Sequence, residues 1–337
     1  MEEKNRRVDD RLAGLVHRCL AFDPDHRPQS AGELAEGLRN ELAPHRRGHR
    51  WVRDHRRRVS VAASLALVLL VAWISYLVLR PPYPIRQFQR GMTCYEQADY
   101  AAAIEHFNES LRSHPKQSEV LFARGRALAR QGDFRTALAD FDAASLLAAD
   151  PRIDAGRGYC MGRLNQHRGA IHYYEQAMKR GLESPAVLNN IGFSELRLSD
   201  LDAAEGYLTR AIAAHEHLTA AYHNLVVMHL NGAGAGRPVP ESALVQAGKA
   251  AELGPPSAQL YRHVAALFAC AARQRPDLAQ VAIEYLKKAI AHGLDPASLR
   301  TDPLFSILRR HAAFQALLTK SPGREPSSEP DYLVDPL

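Results

Sequence analysis

The chain has 337 residues, 46% of them hydrophobic, with four cysteines and a formal net charge of +6 at pH 7. Residues 1–80 hold 15 Lys or Arg against 10 Asp or Glu, and residues 81–337 hold 28 against 27. Nearly all of the positive excess therefore sits in the first quarter, where Trp51 is the only aromatic beside the arginine cluster, which argues against a nucleic-acid surface.

Taken from the N-terminus, Val8, Leu12, Leu15, Val16, Cys19 and Leu20 form one helical stripe, broken at Asp23-Pro24. Ser30 and Glu33 make a capping box ahead of Leu34, Leu38 and Leu42, which predicts a second helix that Pro44 stops. Two such helices bury too little apolar surface to stand as a domain. The wording of this stretch, RLAGLVHRCLAFDPDHRPQSAGELAEGLRNEL, resembles the end of bacterial serine/threonine protein kinase catalytic domains at Cys19, Leu20, Asp23, Pro24, Arg27, Pro28 and Ala31.

That resemblance implies that residues 1–45 are the tail of a kinase domain and that the parent is a receptor-like serine/threonine kinase. The glutamate that buries the arginine corresponding to Arg27 in such kinases has no counterpart here. Nor do the glycine-rich loop, the strand lysine, the catalytic aspartate or the magnesium-binding aspartate that phosphoryl transfer needs. Asp140-Phe141-Asp142 lacks the glycine and lies in a helical repeat, and Arg53-Asp54-His55 lacks the downstream asparagine. The chain as it stands is not expected to be an enzyme. An N-terminally truncated gene model is the favoured account over a degraded remnant, because Met1 to Asp10 reads like the interior of a longer domain.

Val59 to Leu79 is an uncharged apolar run, VSVAASLALVLLVAWISYLVL. At a helical rise of about 1.5 Å per residue it covers the roughly 30 Å of a bilayer's hydrocarbon core. It lies too far from the N-terminus for a signal peptide. Arg46, Arg47, Arg50, Arg53, Arg56, Arg57 and Arg58 precede it, against Arg80, Arg86 and Arg90 after it. The expectation is a single-pass protein of the inner (cell) membrane with its N-terminus cytoplasmic and the rest extracytoplasmic. The basic segment 46–58 then meets anionic lipid headgroups.

Beyond the span a period of 34 residues sets in. Gly91, Gly125, Gly158 and Gly192 recur at intervals of 34, 33 and 34, as do Ala103, Ala137, Ala170 and Ala204. Phe107, Phe141, Tyr174 and Leu208 keep the same register, followed three residues on by Ser110, Ala144, Ala177 and Ala211. The pattern resembles the tetratricopeptide repeat, a pair of antiparallel helices whose crossing residues must be small. It predicts that Gly91 faces Ala103, with Phe107 filling the gap beside the crossing. Two looser units follow, Thr219 to Pro255, whose turn holds Asn231 to Pro238, and Ser257 to Pro296, with residues 273–280 inserted at its turn.

The organisation expected is all-α: a kinase-tail fragment (1–45), a basic segment (46–58), a transmembrane helix (59–79), an array of about six helix pairs (84–296), a capping helix (297–320, chiefly Leu304 to Thr319) and a disordered tail (321–337). In tetratricopeptide arrays the first helices line a concave groove, and the family's groove positions fall here on Phe88, Met92, Phe122, Arg126, Arg130, Tyr159, Arg163, Asn189, Phe193 and Arg197. An aromatic floor with an arginine row favours a protein or peptide ligand with carboxylates. The bland alternative is that these arginines are solvated and paired with nearby carboxylates.

No cofactor or metal is expected. The Gly232-Ala-Gly-Ala-Gly236 run lacks the strand and lysine of a phosphate cradle. His215 and His217 are expected on different helix faces, and His167 and His172 across a turn. Cys94, Cys160 and Cys270 sit in different repeats and read as core residues. The functional expectation is a membrane-anchored interaction module, the sensor or scaffold part of a serine/threonine kinase; any signal across its single helix would have to travel by self-association or rotation of whole chains. An active transmembrane kinase read at full length, and an assembly factor unrelated to signalling, are the alternatives.

Overall fold

The computed structural model describes residues 10–42, 51–52, 55–319 and 333–336. The expected readings of Met1 to Asp9, of Arg46, Arg47, Arg50 and Arg53, and of most of the tail lie outside the described residues. The chain divides into two compact units, 1–81 and 82–337. No strand occurs among the described residues.

In the first unit, helix α1 (Asp10–Cys19) packs on α2 (Ala31–Leu42) through Leu15, which fits against Gly37: a Cβ there would lie 3.1 Å from the Leu15 Cδ1. Ser30 Oγ accepts the Glu33 N–H at 3.1 Å, while Glu33 Oε2 accepts from the Gln29 N–H at 2.9 Å, one residue earlier than a reciprocal capping box would have it. Val16, Leu20 and Phe22 remain exposed. Helix α3 (Arg56–Leu79) starts three residues before the apolar run. It is long and apolar enough to cross a membrane, with mean hydropathy 2.2 and none of its apolar window buried.

The second unit is built from six helix pairs: α4 (Tyr83–Glu96) with α5 (Tyr100–Ser113), α6 (Ser118–Gln131) with α7 (Phe134–Ser145), α8 (Pro151–Arg163) with α9 (His167–Lys179), α10 (Pro185–Arg197) with α11 (Leu201–Ala214), α12 (Thr219–Gly234) with α13 (Glu241–Leu253), and α14 (Ala258–Ala271) with α15 (Leu278–Ala291). Each pair packs on the next, and each first helix also touches the first helix of the following pair. The turn inside the first four pairs is the same device repeated. Ala98, Gly132, Asn165 and Ser199 take left-handed φ of 60°, 88°, 59° and 67°, ending the first helix. Asp99, Asp133 and Asp200 then cap the second by accepting an N–H three residues on, at 3.0–3.2 Å.

The recurring glycines lie against the large residues of the second helices. A Cβ on Gly91 would fall 2.5 Å from the Phe107 ring, on Gly125 2.9 Å from Phe141, on Gly158 2.8 Å from Tyr174 and on Gly192 2.6 Å from Leu208. The glycine thus makes room for the large residue of the second helix, and at Gly192 the Ala204 carbonyl oxygen is close as well, at 3.3 Å. Ala103, Ala137, Ala170 and Ala204 are all fully buried.

Three expectations fail in the second half. Asn231 to Gly234 belongs to the end of α12 and not to a long turn, and residues 278–280 open α15. The capping helix is two pieces, a 3-10 run Pro303–Arg310 and a short α16 (Ala312–Leu317). A period of three buries Phe305 and Leu308 and leaves Ile307 exposed. Finally, Leu333 to Asp335, in the segment expected to be a disordered tail, lie against the array.

Candidate functional site

The first helices α4, α6, α8 and α10 carry the ten expected groove residues, and the structure sorts them. Phe122 belongs to the buried core and Phe88, partly buried, packs against it, with ring centroids 5.8 Å from Phe141 and 5.9 Å from Phe107 respectively. Met92, also partly buried, packs on the same cluster, so Phe122 is withdrawn from the expected aromatic floor while Phe88 and Met92 stay partly accessible. Arg126 lies over the Tyr95 ring at 4.8 Å and Arg163 over Phe134 at 4.7 Å, with the Arg163 Nη1 donating to the Tyr159 hydroxyl at 3.2 Å. Stacking on aromatic rings helps to hold these two guanidinium groups. Phe193 sits 5.9 Å from His167, and Arg197 is exposed with no ion pair among the described residues.

Arg130 and Tyr159 are brought together with residues that repeat pattern did not indicate. Arg130 Nη2 pairs with Asp335 Oδ2 at 2.7 Å. Burial alone would lower the pKa of this guanidinium, but the Asp335 carboxylate and Tyr95 outweigh it and the value rises. Leu333 is 6% exposed and joins the cluster of Ala155, Tyr159, Ala170, Tyr174 and Ile191. The surface is shaped for it at Gly162, where a Cβ would come within 3.3 Å of the Leu333 Cδ1.

Asn190 completes the site. Its Oδ1 accepts the Val334 N–H at 2.8 Å and its Nδ2 donates to the Val334 carbonyl at 2.6 Å. The same amide is fixed from behind: Nδ2 also reaches the Tyr174 hydroxyl at 3.1 Å, and Asn189 Nδ2 donates to Asn190 Oδ1 at 3.1 Å. Asn224 Nδ2 in turn donates to Asn189 Oδ1 at 2.9 Å. Asn189, the expected contact, is a buried strut, and its neighbour does the holding. A buried amide chain of this kind rigidifies what it supports. Beneath it Cys160 is a core thiol, pushed up to about 12 by burial first, with Asp335 and Asp142 adding to it.

A second concavity of about 660 Å³ lies farther along, lined by Ser199, Val227, Asn231, Arg237, His263 and Leu304. His263 Nδ1 faces His223 Nε2 at 2.9 Å. Among the described residues no three His, Cys, Asp or Glu side chains cluster as metal ligands. His215 and His217 lie past the end of α11 with rings 6.4 Å apart, and His167 and His172 share α9, both unlike the expectation.

Residues 88–152 and 162–219 match the family model of the tetratricopeptide repeat. The first four helix pairs are similar to tetratricopeptide repeats. Solved structures agree on the fold. PilW, a widely conserved type IV pilus biogenesis factor, is similar with a TM-score of 0.51 at 20% identity, over 71% of this chain and 100% of its own. The C-terminal part of a TPR repeat-containing protein from Cytophaga hutchinsonii gives 0.52 at 17%, over 68% and 92%. A chain of the APC/C hetero-tetramer Cut9–Hcn1 gives 0.51 at 16%, over 74% and 45%. At such identities the likeness is one of fold alone. No curated protein matches the sequence.

Proposed function

We propose that this chain is a membrane-anchored tetratricopeptide module that captures an extended peptide segment of a protein partner in the surface formed by α6, α8 and α10. The observation that carries the reading is the double hold of Asn190 on the backbone of Val334, with Arg130 on the next carboxylate. A side-chain amide that meets both the N–H and the C=O of one residue recognises extended main chain irrespective of its side chain. The remaining guanidinium groups of Arg126, Arg163 and Arg197 favour an acidic partner.

Anchorage through α3 is supported by its length, apolarity and exposure. The arginine excess ahead of it supports a cytoplasmic N-terminus. The kinase-like wording of residues 10–42 supports a place beside, or as part of, a serine/threonine kinase, with the repeats as its sensor or scaffold half.

Two measurements test this. A photo-activatable residue at Phe193 is expected to cross-link a protein partner in intact cells, and changing Arg126, Arg130, Arg163 and Arg197 to Ala should abolish the adduct while helix content is unchanged. An adduct that persists in the quadruple variant would sink the groove reading. For topology, a Leu146→Cys variant, at a position 87% exposed, should react with a membrane-impermeant maleimide before lysis, and Cys19 only after it. The reverse order of labelling would overturn the orientation.

A further inference from the structure

We infer that the groove is held in cis by the chain's own segment Leu333–Asp335, and that it reads the same pattern in a partner: an extended peptide with an apolar residue and, two positions on, an acidic one. The inference rests on the peptide-site reading and goes beyond it by naming the pattern and the resident competitor.

Three contacts carry it, each made by a different residue of the segment and a different repeat. Leu333 is buried in the third repeat's cluster, over Gly162 of α8. Val334 is held through its backbone by Asn190 of α10, 144 residues away in sequence. Asp335 reaches Arg130 at the end of α6. The segment therefore lies across three successive repeats, and each of its residues is read by a different chemistry. Leu333 and Asp335 are thus read through their side chains and Val334 through its backbone. An apolar site, a backbone clamp and a cation in that order admit Leu-x-Asp and reject the pattern when either side chain is exchanged for its opposite. Substituting Val334 costs nothing at the clamp unless the new residue is proline, which has no N–H to give.

Tethering through residues 320–332 makes capture of the segment intramolecular, with an effective concentration on the order of 1 mM. If the free segment bound with a Kd of about 100 µM, the tethered one would fill the groove about nine-tenths of the time, and a partner carrying the same pattern would bind about tenfold more weakly than to an empty groove. The segment is thus a strap that only a better or multivalent ligand displaces.

The test uses a fluorescein-labelled peptide of residues 331–337, DYLVDPL, followed by anisotropy against the full chain in detergent and against the chain ending at Pro330. The shortened chain is expected to bind at least tenfold more tightly than the full chain. Asn190→Ala in the shortened chain should weaken binding at least tenfold, and a peptide carrying Leu333→Asp should not be retained. Because Asn190→Ala touches buried struts, a variant outside the array serves as the control for folding: Asp335→Arg in the full chain should raise its affinity to that of the shortened chain. Equal affinity of full and shortened chains would overturn the strap. Failure of the shortened chain to bind DYLVDPL, while the photo-adduct at Phe193 still depends on the arginine row, would overturn the pattern and leave the peptide-site reading intact. Affinity of the full chain that falls as its own concentration rises would assign the occupant to a second copy and refute capture in cis.

Discussion

Replacing Phe141 with Ala is expected to cost about 3–5 kcal/mol, the range for deleting a buried aromatic ring from a core, and to split the array's unfolding into two transitions. Phe141 is fully buried on α7, beside Phe122 at 5.8 Å. It is clasped from both sides, since a Cβ on Gly125 of its own repeat would lie 2.9 Å from the ring and one on Gly156 of the next repeat 2.8 Å. One side chain therefore closes its own helix pair and joins it to the following one. In a repeat array stability is close to a sum of repeat terms and nearest-neighbour interface terms, so a void at this interface weakens the coupling of the first two repeats to the rest. Urea unfolding read by hydrogen exchange should show amides of α4 to α7 losing protection before those of α14. Gly125→Ala alone overpacks the ring and is expected to cost about 1–3 kcal/mol. Combined with Phe141→Ala it should cost less than the sum, because the void accepts the methyl group. A loss below about 1 kcal/mol, or one transition shifted uniformly, would contradict this account.

The Gly–Ala–aromatic register was visible in the sequence because close helix crossings demand particular volumes at fixed spacing, and volume is what residue type encodes. The partner of each glycine was not, since spacing alone cannot say whether the space it opens is filled by the alanine or by the ring beyond it. The cap was misread for a related reason: Leu304, Ile307, Leu308, Phe314 and Leu317 fit a period of 3.6, and only Phe305 with Leu308 hinted at the period of three that the 3-10 run adopts. The backbone clamp was the larger omission. Asn189 and Asn190 are identical in type, and one step of helix decides which is strut and which is hand. The tail was read from its Ser, Pro and acidic composition, yet Leu333-Val334 between Asp331 and Asp335 is the one apolar pair in it. An apolar pair flanked by carboxylates, in a chain that also presents an arginine row, was the available signal.

Acid is expected to loosen the same part of the molecule. His223 of α12 and His263 of α14 face one another at 2.9 Å. Burial, with His263 alongside, pushes His223 down to about 3, and burial, with Arg262 alongside, pushes His263 down to about 4. The Arg262 charge is engaged by Asp302 at 2.5 Å and still disfavours a second cation next to it. Above about pH 6.5, the ordinary value for the unfolded chain, both states hold neutral rings and stability is independent of them. Below it the unfolded chain takes up protons that the folded pair refuses, so stability falls with pH until the folded rings protonate near 4 and 3. The loss between about pH 7 and pH 4 is on the order of 5 kcal/mol for the two rings, comparable to the whole stability of many domains. His167 and His229, also lowered chiefly by burial, add to it with the same sign. Urea midpoints followed by circular dichroism at pH 7, 5.5 and 4 should fall steadily, and His223→Gln, which cannot titrate, should flatten roughly half of the slope. An unchanged slope in that variant would remove the pair from the account. The neighbouring Asn224 supports Asn189, and Asn189 supports Asn190, so the acid-driven opening of α12, in which the pair becomes exposed and takes up protons, should release DYLVDPL from the shortened chain in the same pH window.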